Sequence, residues 1–135
     1  MLPFAWSAAG DVYEGQWLQD MLHGRGKCLF ADGDSYEGEW DRNRMHGRGT
    51  ERYASGDVFT GEYRGGRMEG HGTYYYADGE VEVGTFADDM EVGEGVSWSP
   101  DRQTARRLQG GEVLEQISLD EAREIAQRIG EGVPQ

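Results

Sequence analysis

The sequence predicts a mainly β protein: an elongated, single-layer antiparallel meander of β-hairpin repeats with a period of 23 residues, ending in a C-terminal hairpin and a capping α-helix. Three observations carry this. Glycine makes up 22 of the 135 residues, and sixteen of them fall in four columns spaced by 23. The segments YEGQW (Tyr13–Trp17), YEGEW (Tyr36–Trp40), FTGEY (Phe59–Tyr63) and EVGTF (Glu82–Phe86) recur at the same step. Beyond Pro100 the repeat dissolves, and a capping-box pattern opens an amphipathic stripe at Ser118.

The chain opens inside a unit. Phe4, Trp6 and Gly10 align with Lys27, Leu29 and Gly33, so residues 1–12 read as a half repeat. Full units follow at 13–35, 36–58, 59–81 and 82–104, which makes 1–104 the repeat array. In the first unit Val12–Leu18 alternates as a strand does, with Tyr13, Gly15 and Trp17 on one face and Glu14 and Gln16 on the other. A turn is expected over about Gln19–His23. A return strand from Gly24 to Phe30 then places Gly24, Gly26, Cys28 and Phe30 on a shared face. Asp32-Gly33 and Asp78-Gly79 read as turns into the next hairpin, with Ala9-Gly10 and Ser55-Gly56 as weaker versions.

Residues 105–117 predict a terminal hairpin with Gly110-Gly111 at its tip. Ser118 and Glu121 make a capping box, and Ile117 is placed to staple against Ala122. Leu119, Ala122, Ile125, Ala126 and Ile129 share one helical face before Gly130 stops the helix, giving a capping helix over 118–130. That helix is expected to cover the last sheet edge or the end of the ring-bearing face. Residues 131–135 are expected to form a loose tail.

Glycine inside a strand leaves bare main chain, and a large ring from a neighbouring strand can lie across it. The structural glycines on this reading are Gly15, Gly24, Gly26, Gly38, Gly47, Gly49, Gly61, Gly70, Gly72, Gly84, Gly93 and Gly95. Each ring buries on the order of 150–250 Å², so a few per unit can hold a single layer together. Four units at two strands each, about 4.8 Å apart, extend the array roughly 40 Å.

The pattern YEGxW, then HGxG ending at Gly26 and Gly49, then an aromatic and a DG turn, resembles the MORN repeat (membrane occupation and recognition nexus) over about residues 3–104. Repeats one and two fit closely. Repeat three carries Glu69 at the His position. Repeat four departs further, with Glu82 for the leading Tyr, Val92 for His, and Arg102 in the Gly10 column. Atypical terminal units are expected where a stack is capped. The resemblance implies a non-catalytic assembly and targeting module, often appended to larger proteins, whose sheet or groove receives a helix or an extended peptide.

Composition narrows the function. Asp+Glu outnumber Lys+Arg by 26 to 13, a net charge of -13, which opposes nucleic acid and anionic lipid at long range. His23 and His46 sit one repeat apart, roughly 9.5 Å, too far to share a zinc ion at about 2.1 Å from each nitrogen; no metal or cofactor is expected. Glu37 and Glu39 recur on a solvated face, and Cys28 has no nucleophile context, so no enzyme is expected. The single cysteine fits a reducing compartment and no secretion signal is read, so a cytoplasmic position is expected, with an organelle after presequence removal or a peripheral membrane position as alternatives.

The leading expectation is a protein-interaction or scaffold module. It binds along an aromatic groove formed by Tyr13, Trp17, Tyr36, Trp40, Phe59, Tyr63 and Phe86. The expected partner is a protein with a basic surface or an amphipathic helix. Phosphoinositide or membrane-surface targeting through Arg25, Lys27, Arg42, Arg44 and Arg48 is the alternative, disfavoured by the net charge. Self-association, for example as a homodimer through open sheet edges, is a third.

Overall fold

The computed structural model describes residues 4–7 and 9–132. The strands are β1 (Phe4–Trp6), β2 (Val12–Leu18), β3 (Met21–Leu29), β4 (Ser35–Asp41), β5 (Arg44–Arg52), β6 (Val58–Arg64), β7 (Arg67–Tyr75), β8 (Val81–Ala87), β9 (Met90–Trp98), β10 (Ala105–Gln109) and β11 (Glu112–Ile117), followed by helix α1 (Leu119–Ile129). All eleven strands form one open sheet in chain order, each antiparallel to its predecessor. No helix among the described residues is long and apolar enough to cross a membrane.

The hairpin tips are shorter than the five-residue turn expected at Gln19–His23. Leu18 pairs with Met21 and Asp41 with Arg44, leaving two-residue tips at Gln19-Asp20 and Arg42-Asn43. Both residues of each tip have positive φ, as do Gly65-Gly66, Asp88-Asp89 and Gly110-Gly111. Such turns match the right-handed twist of the flanking strands. Asp, Asn and Gly recur at the second tip position because they tolerate the left-handed region.

The residues gained by the return strand are absorbed in a bulge. Gly15 pairs with Gly26 and Trp17 with Leu22, so His23, Gly24 and Arg25 on β3 oppose the single Gln16 on β2. The HGxG segment is this bulge, and Gly24, Gly47 and Gly70 have φ of 85°, 63° and 112°. Strict alternation fails here. Leu22, Gly26 and Cys28 face the rings, whereas Gly24 turns to the opposite face against the Gln16 side chain. Glu39 and Glu62 lie in the same way against Gly47 and Gly70. The backbone N–H groups of Arg25 and Arg48 donate to Gln16 Oε1 (2.8 Å) and Glu39 Oε2 (2.6 Å), which satisfies donors the bulge would otherwise strand.

Successive repeats are tied along both margins. The N–H groups of Ala31, Ala54 and Ala77 donate to the carboxylates of Asp11, Asp34 and Asp57, each at 2.8 Å. The next unit has Glu80 and Pro100 in these columns. Proline has no N–H, and Arg102 closes this turn instead by donating to the carbonyls of Gly79, Ser99 and Pro100. At the hairpin tips, Leu22 N–H donates to Asn43 Oδ1 (2.7 Å) and Met68 N–H to Asp89 Oδ1 (2.8 Å).

The helix forms as its caps predict. Ser118 Oγ accepts from Glu121 N–H at 3.0 Å, and Gly130 is left-handed with its N–H on Ala126 O. Its position differs from the expectation. Ala122, Ile125 and Ala126 pack with Val83, Val96, Trp98 and Ala105, on the face opposite the rings, and Leu119 stays exposed. The helix therefore covers the outer face of β8–β10 and not the last edge. The cause is a change of polarity in the fourth repeat. Val83 stands where earlier units have Glu14, Glu37 and Thr60, and Val96 where they have Lys27, Thr50 and Thr73. The tail also differs from the expected loose end. Glu131 is buried and bound to the sheet, while residues 133–135 lie outside the described residues.

Candidate functional site

The sheet offers a ring face, an outer face, and an edge of hairpin tips. The ring face is built from two columns: Tyr13, Tyr36 and Phe59, and Trp17, Trp40, Tyr63 and Phe86. Six of these seven form a continuous edge-to-face ladder. Tyr13 meets Trp40 at 6.2 Å between centroids, Trp40 meets Tyr36 at 5.1 Å, Tyr36 meets Tyr63 at 5.1 Å, Tyr63 meets Phe59 at 5.8 Å, and Phe59 meets Phe86 at 5.0 Å. The interplanar angles of these five pairs lie between 74° and 88°, the geometry that aligns one ring's positive edge with the next ring's negative face.

The rings lie over glycines as the sequence implies, at some columns only. Trp40 covers Gly26, Tyr36 covers Gly49, and Phe59 covers both Gly61 and Gly72. Gly15 and Gly38 instead face the main chain of Gly26 and Gly49 across the hairpin, an approach no Cβ would permit. Gly24, Gly47 and Gly70 are covered by Gln16, Glu39 and Glu62, and Gly84 and Gly95 by Glu91. Open space surrounds Gly93.

Burial divides the candidate contact residues. Tyr36, Trp40, Phe59, Tyr63 and Phe86 are buried within the free chain, so they form the support of the ring face. Tyr13 and Trp17 are half-buried. They line a hollow of about 310 Å³ with Ala5, Ser7, Asp20, Leu22 and Asn43. A second half-buried aromatic row was not read as a contact surface: Phe30, Tyr53, Tyr74 and Tyr76, with Tyr53 stacked on Tyr74 at 6.0 Å and Tyr74 tilted against Tyr76 at 4.7 Å. Its signal is the aromatic that follows each of the first three return strands, Phe30, Tyr53 and Tyr76.

Two phenols of the ring face find partners, whereas Trp40 Nε1 is buried without a hydrogen-bond partner among the described residues. Tyr36 Oη donates to Glu39 O at 2.9 Å and Tyr63 Oη to Glu51 Oε1 at 3.0 Å. Burial raises both phenols, and also raises the Glu51 carboxyl. Burial pushes the Cys28 thiol up to about 11, which keeps it protonated and unreactive.

The ladder stops where Glu82 replaces a ring. Glu91, in the column of Leu22, Met45 and Met68, is pushed up to about 9 by burial and, after it, by the neighbouring Glu82 carboxyl. The unfolded chain holds this proton only below about 4.5. Between these values the folded state binds more protons, so stability falls as pH rises through the window and levels above it. Glu91→Met should abolish that slope and raise the melting temperature at mildly alkaline pH, as read by thermal melts across the window. An unchanged slope would contradict the assignment.

The five candidate headgroup bases do not form one patch. Lys27 lies on the outer face between Glu14 and Glu37, Arg25 opposite Glu39, and Arg48 opposite Glu62. Arg42 and Arg44 stand apart at a hairpin tip. Arg48 also meets Glu131, whose side chain is only 5% exposed, at 3.2 Å. The same carboxylate lies 2.6 Å from His71 Nδ1 and accepts from Thr73 Oγ1 at 3.0 Å. His71 Nε2 reaches Glu62 at 2.9 Å, so the half-buried His71 links the two carboxylates.

Among the described residues no group of three or more His, Cys, Asp or Glu is arranged to hold a metal ion. Comparison with curated proteins finds no match to the chain. Comparison with protein families matches the MORN repeat at residues 13–35, 36–58, 59–81 and 83–104. Such repeats are generally protein- or membrane-interaction modules and form a non-catalytic family. With the repeat covering most of its length, four times in register with the hairpins, the chain belongs to the MORN repeat family.

Proposed function

We propose that this chain is a protein-interaction or scaffold module, non-catalytic, that docks a helix or an extended peptide on its ring face, within a larger protein or assembly. One observation carries the reading. The only helix among the described residues packs on the outer face, so the ring face, with its half-buried aromatics, has no second layer over it. Tyr13 and Trp17 at the hollow, and the row from Phe30 to Tyr76, supply amphipathic contact area of the kind enriched at binding hot spots. The buried rings hold that surface rigid from beneath, so docking requires little ordering.

A basic partner suits a chain of net charge -13, and its association should slow as salt is added. A cytoplasmic setting forms part of the proposal, supported by the single buried thiol. Membrane attachment through Arg25, Lys27 and Arg48 has less support, since each lies opposite an acid.

Tyr13→Ala and Trp17→Ala test the reading. Both variants should keep the far-ultraviolet spectrum of the parent and lose a protein that the parent captures from native lysate. Retention of every captured protein by the folded double variant, or equal capture by anionic liposomes alone, would count against it.

A further inference from the structure

We propose that the hollow between the second and third hairpin tips binds the phosphoryl group of a phosphorylated segment of a partner protein. The hollow measures about 440 Å³ and is lined by Asp41, Arg42, Arg44, His46, Arg64 and Gly65. It is separate from the ring face. Three of the chain's 13 basic residues meet there, in a chain whose acids outnumber its bases by 26 to 13.

Charge bookkeeping within the hollow points to an anion. Arg42 lies 4.0 Å from Asp41, and Asp41 is also 3.3 Å from His23. Arg67, the cross-strand neighbour of Arg64, is engaged by Asp88 at 3.1 Å. Arg44 and Arg64 have no carboxylate within ion-pair distance among the described residues. Two unpaired guanidinium groups facing one hollow repel each other, and an anion between them relieves that repulsion while accepting paired N–H donors.

The flanking groups select among anions. Asp41 on the rim offsets a single carboxylate, so the ligand must bring a charge near -2, as a phosphate monoester does. A planar anionic membrane fits less well. Tips lie roughly 9.5 Å apart along this edge, within a Debye length of about 8–10 Å. The neighbouring tips present Asp20 on one side and Asp88-Asp89 on the other. A flat surface laid along the edge would meet those carboxylates, whereas a compact group entering between the two tips does not. The third tip is Gly65-Gly66, and nothing lies within 4 Å of where a Gly65 side chain would project, which leaves room for the main chain of an incoming segment.

Fluorescence polarisation with a labelled phosphoserine peptide, otherwise Gly and Ser, tests this on the intact chain. The phosphopeptide should bind, with affinity falling as salt rises, and the unphosphorylated peptide should bind at least about tenfold more weakly. Arg44→Gln/Arg64→Gln should weaken phosphopeptide binding by at least about tenfold and leave the melting temperature unchanged. Arg25→Gln/Lys27→Gln, on the outer face, should leave the affinity unchanged. Equal binding of both peptides, or an undiminished affinity in the tip variant, would overturn the proposal. So would phosphatidylserine-containing vesicles that bind the parent and lose the tip variant while the phosphopeptide does not bind.

Discussion

Phe59→Ala should cost about 3–5 kcal/mol, a large share of the 5–15 kcal/mol typical of a folded domain. Phe59 is fully buried within the ring face. It meets Tyr63, Tyr74 and Phe86 and lies across the bare main chain of Gly61 and Gly72. Truncation removes two edge-to-face contacts of the ladder, uncovers two strands, and leaves a cavity that a single layer cannot collapse from above. Phe59→Tyr should cost less than about 1.5 kcal/mol, because the equivalent Tyr36 already places a hydroxyl at this depth and donates it to Glu39 O. Urea denaturation of the three proteins measures both differences. Equal losses for Ala and Tyr would mean that the ring's volume is not what the site uses.

The second large effect concerns the segment that holds the helix end down. Arg48→Ala/His71→Ala leaves the Glu131 carboxylate, 5% exposed, without its cationic or imidazole partners. Such an uncompensated buried charge costs about 3–5 kcal/mol. Glu131→Ala removes the buried charge itself and exposes groups that water reaches more readily, so it should cost only about 1.5–3 kcal/mol. Adding Glu131→Ala to the double variant should therefore recover stability. Denaturation midpoints, with amide exchange of α1 as the local readout, check the order. A triple variant less stable than the double would contradict the account.

How much of this was legible follows from what each feature writes into the sequence. The strands, the period and the helix caps are legible because alternation, the 23-residue step and the Ser118/Glu121 box are local patterns. The two-residue tips are obscured because Gln19-Asp20 and Arg42-Asn43 lack glycine; the recurrence of Asp20, Asn43, Gly66 and Asp89 in one column is the signal that marks them. The bulge at Gly24 breaks strict alternation and moves a glycine to the other face, which no count of period two reveals. The seat of α1 is written in Val83 and Val96, where polar columns turn apolar, yet in isolation those substitutions read as decay of a terminal repeat. The anchoring of Glu131 by Arg48, His71 and Thr73 joins residues 58 to 83 positions apart, and no local pattern encodes it. Within the ring columns the sequence places every ring but not its burial, because burial depends on the neighbouring rings that complete the ladder.

The central physical claim is that a ring occupies the space a side chain would need on the strand beside it. Gly72 offers the cleanest position. It lacks the left-handed φ of the bulge glycines, so alanine there meets no backbone strain, and the Phe59 ring fills the place of its Cβ. A double-mutant cycle of Gly72→Ala with Phe59→Ala measures that overlap directly. Gly72→Ala should be strongly destabilising in the parent and much less so once Phe59 is truncated, when only the Thr60 carbonyl oxygen at 3.1 Å still crowds the new Cβ, with a coupling of at least about 1 kcal/mol. Additive effects of the two substitutions would contradict the account.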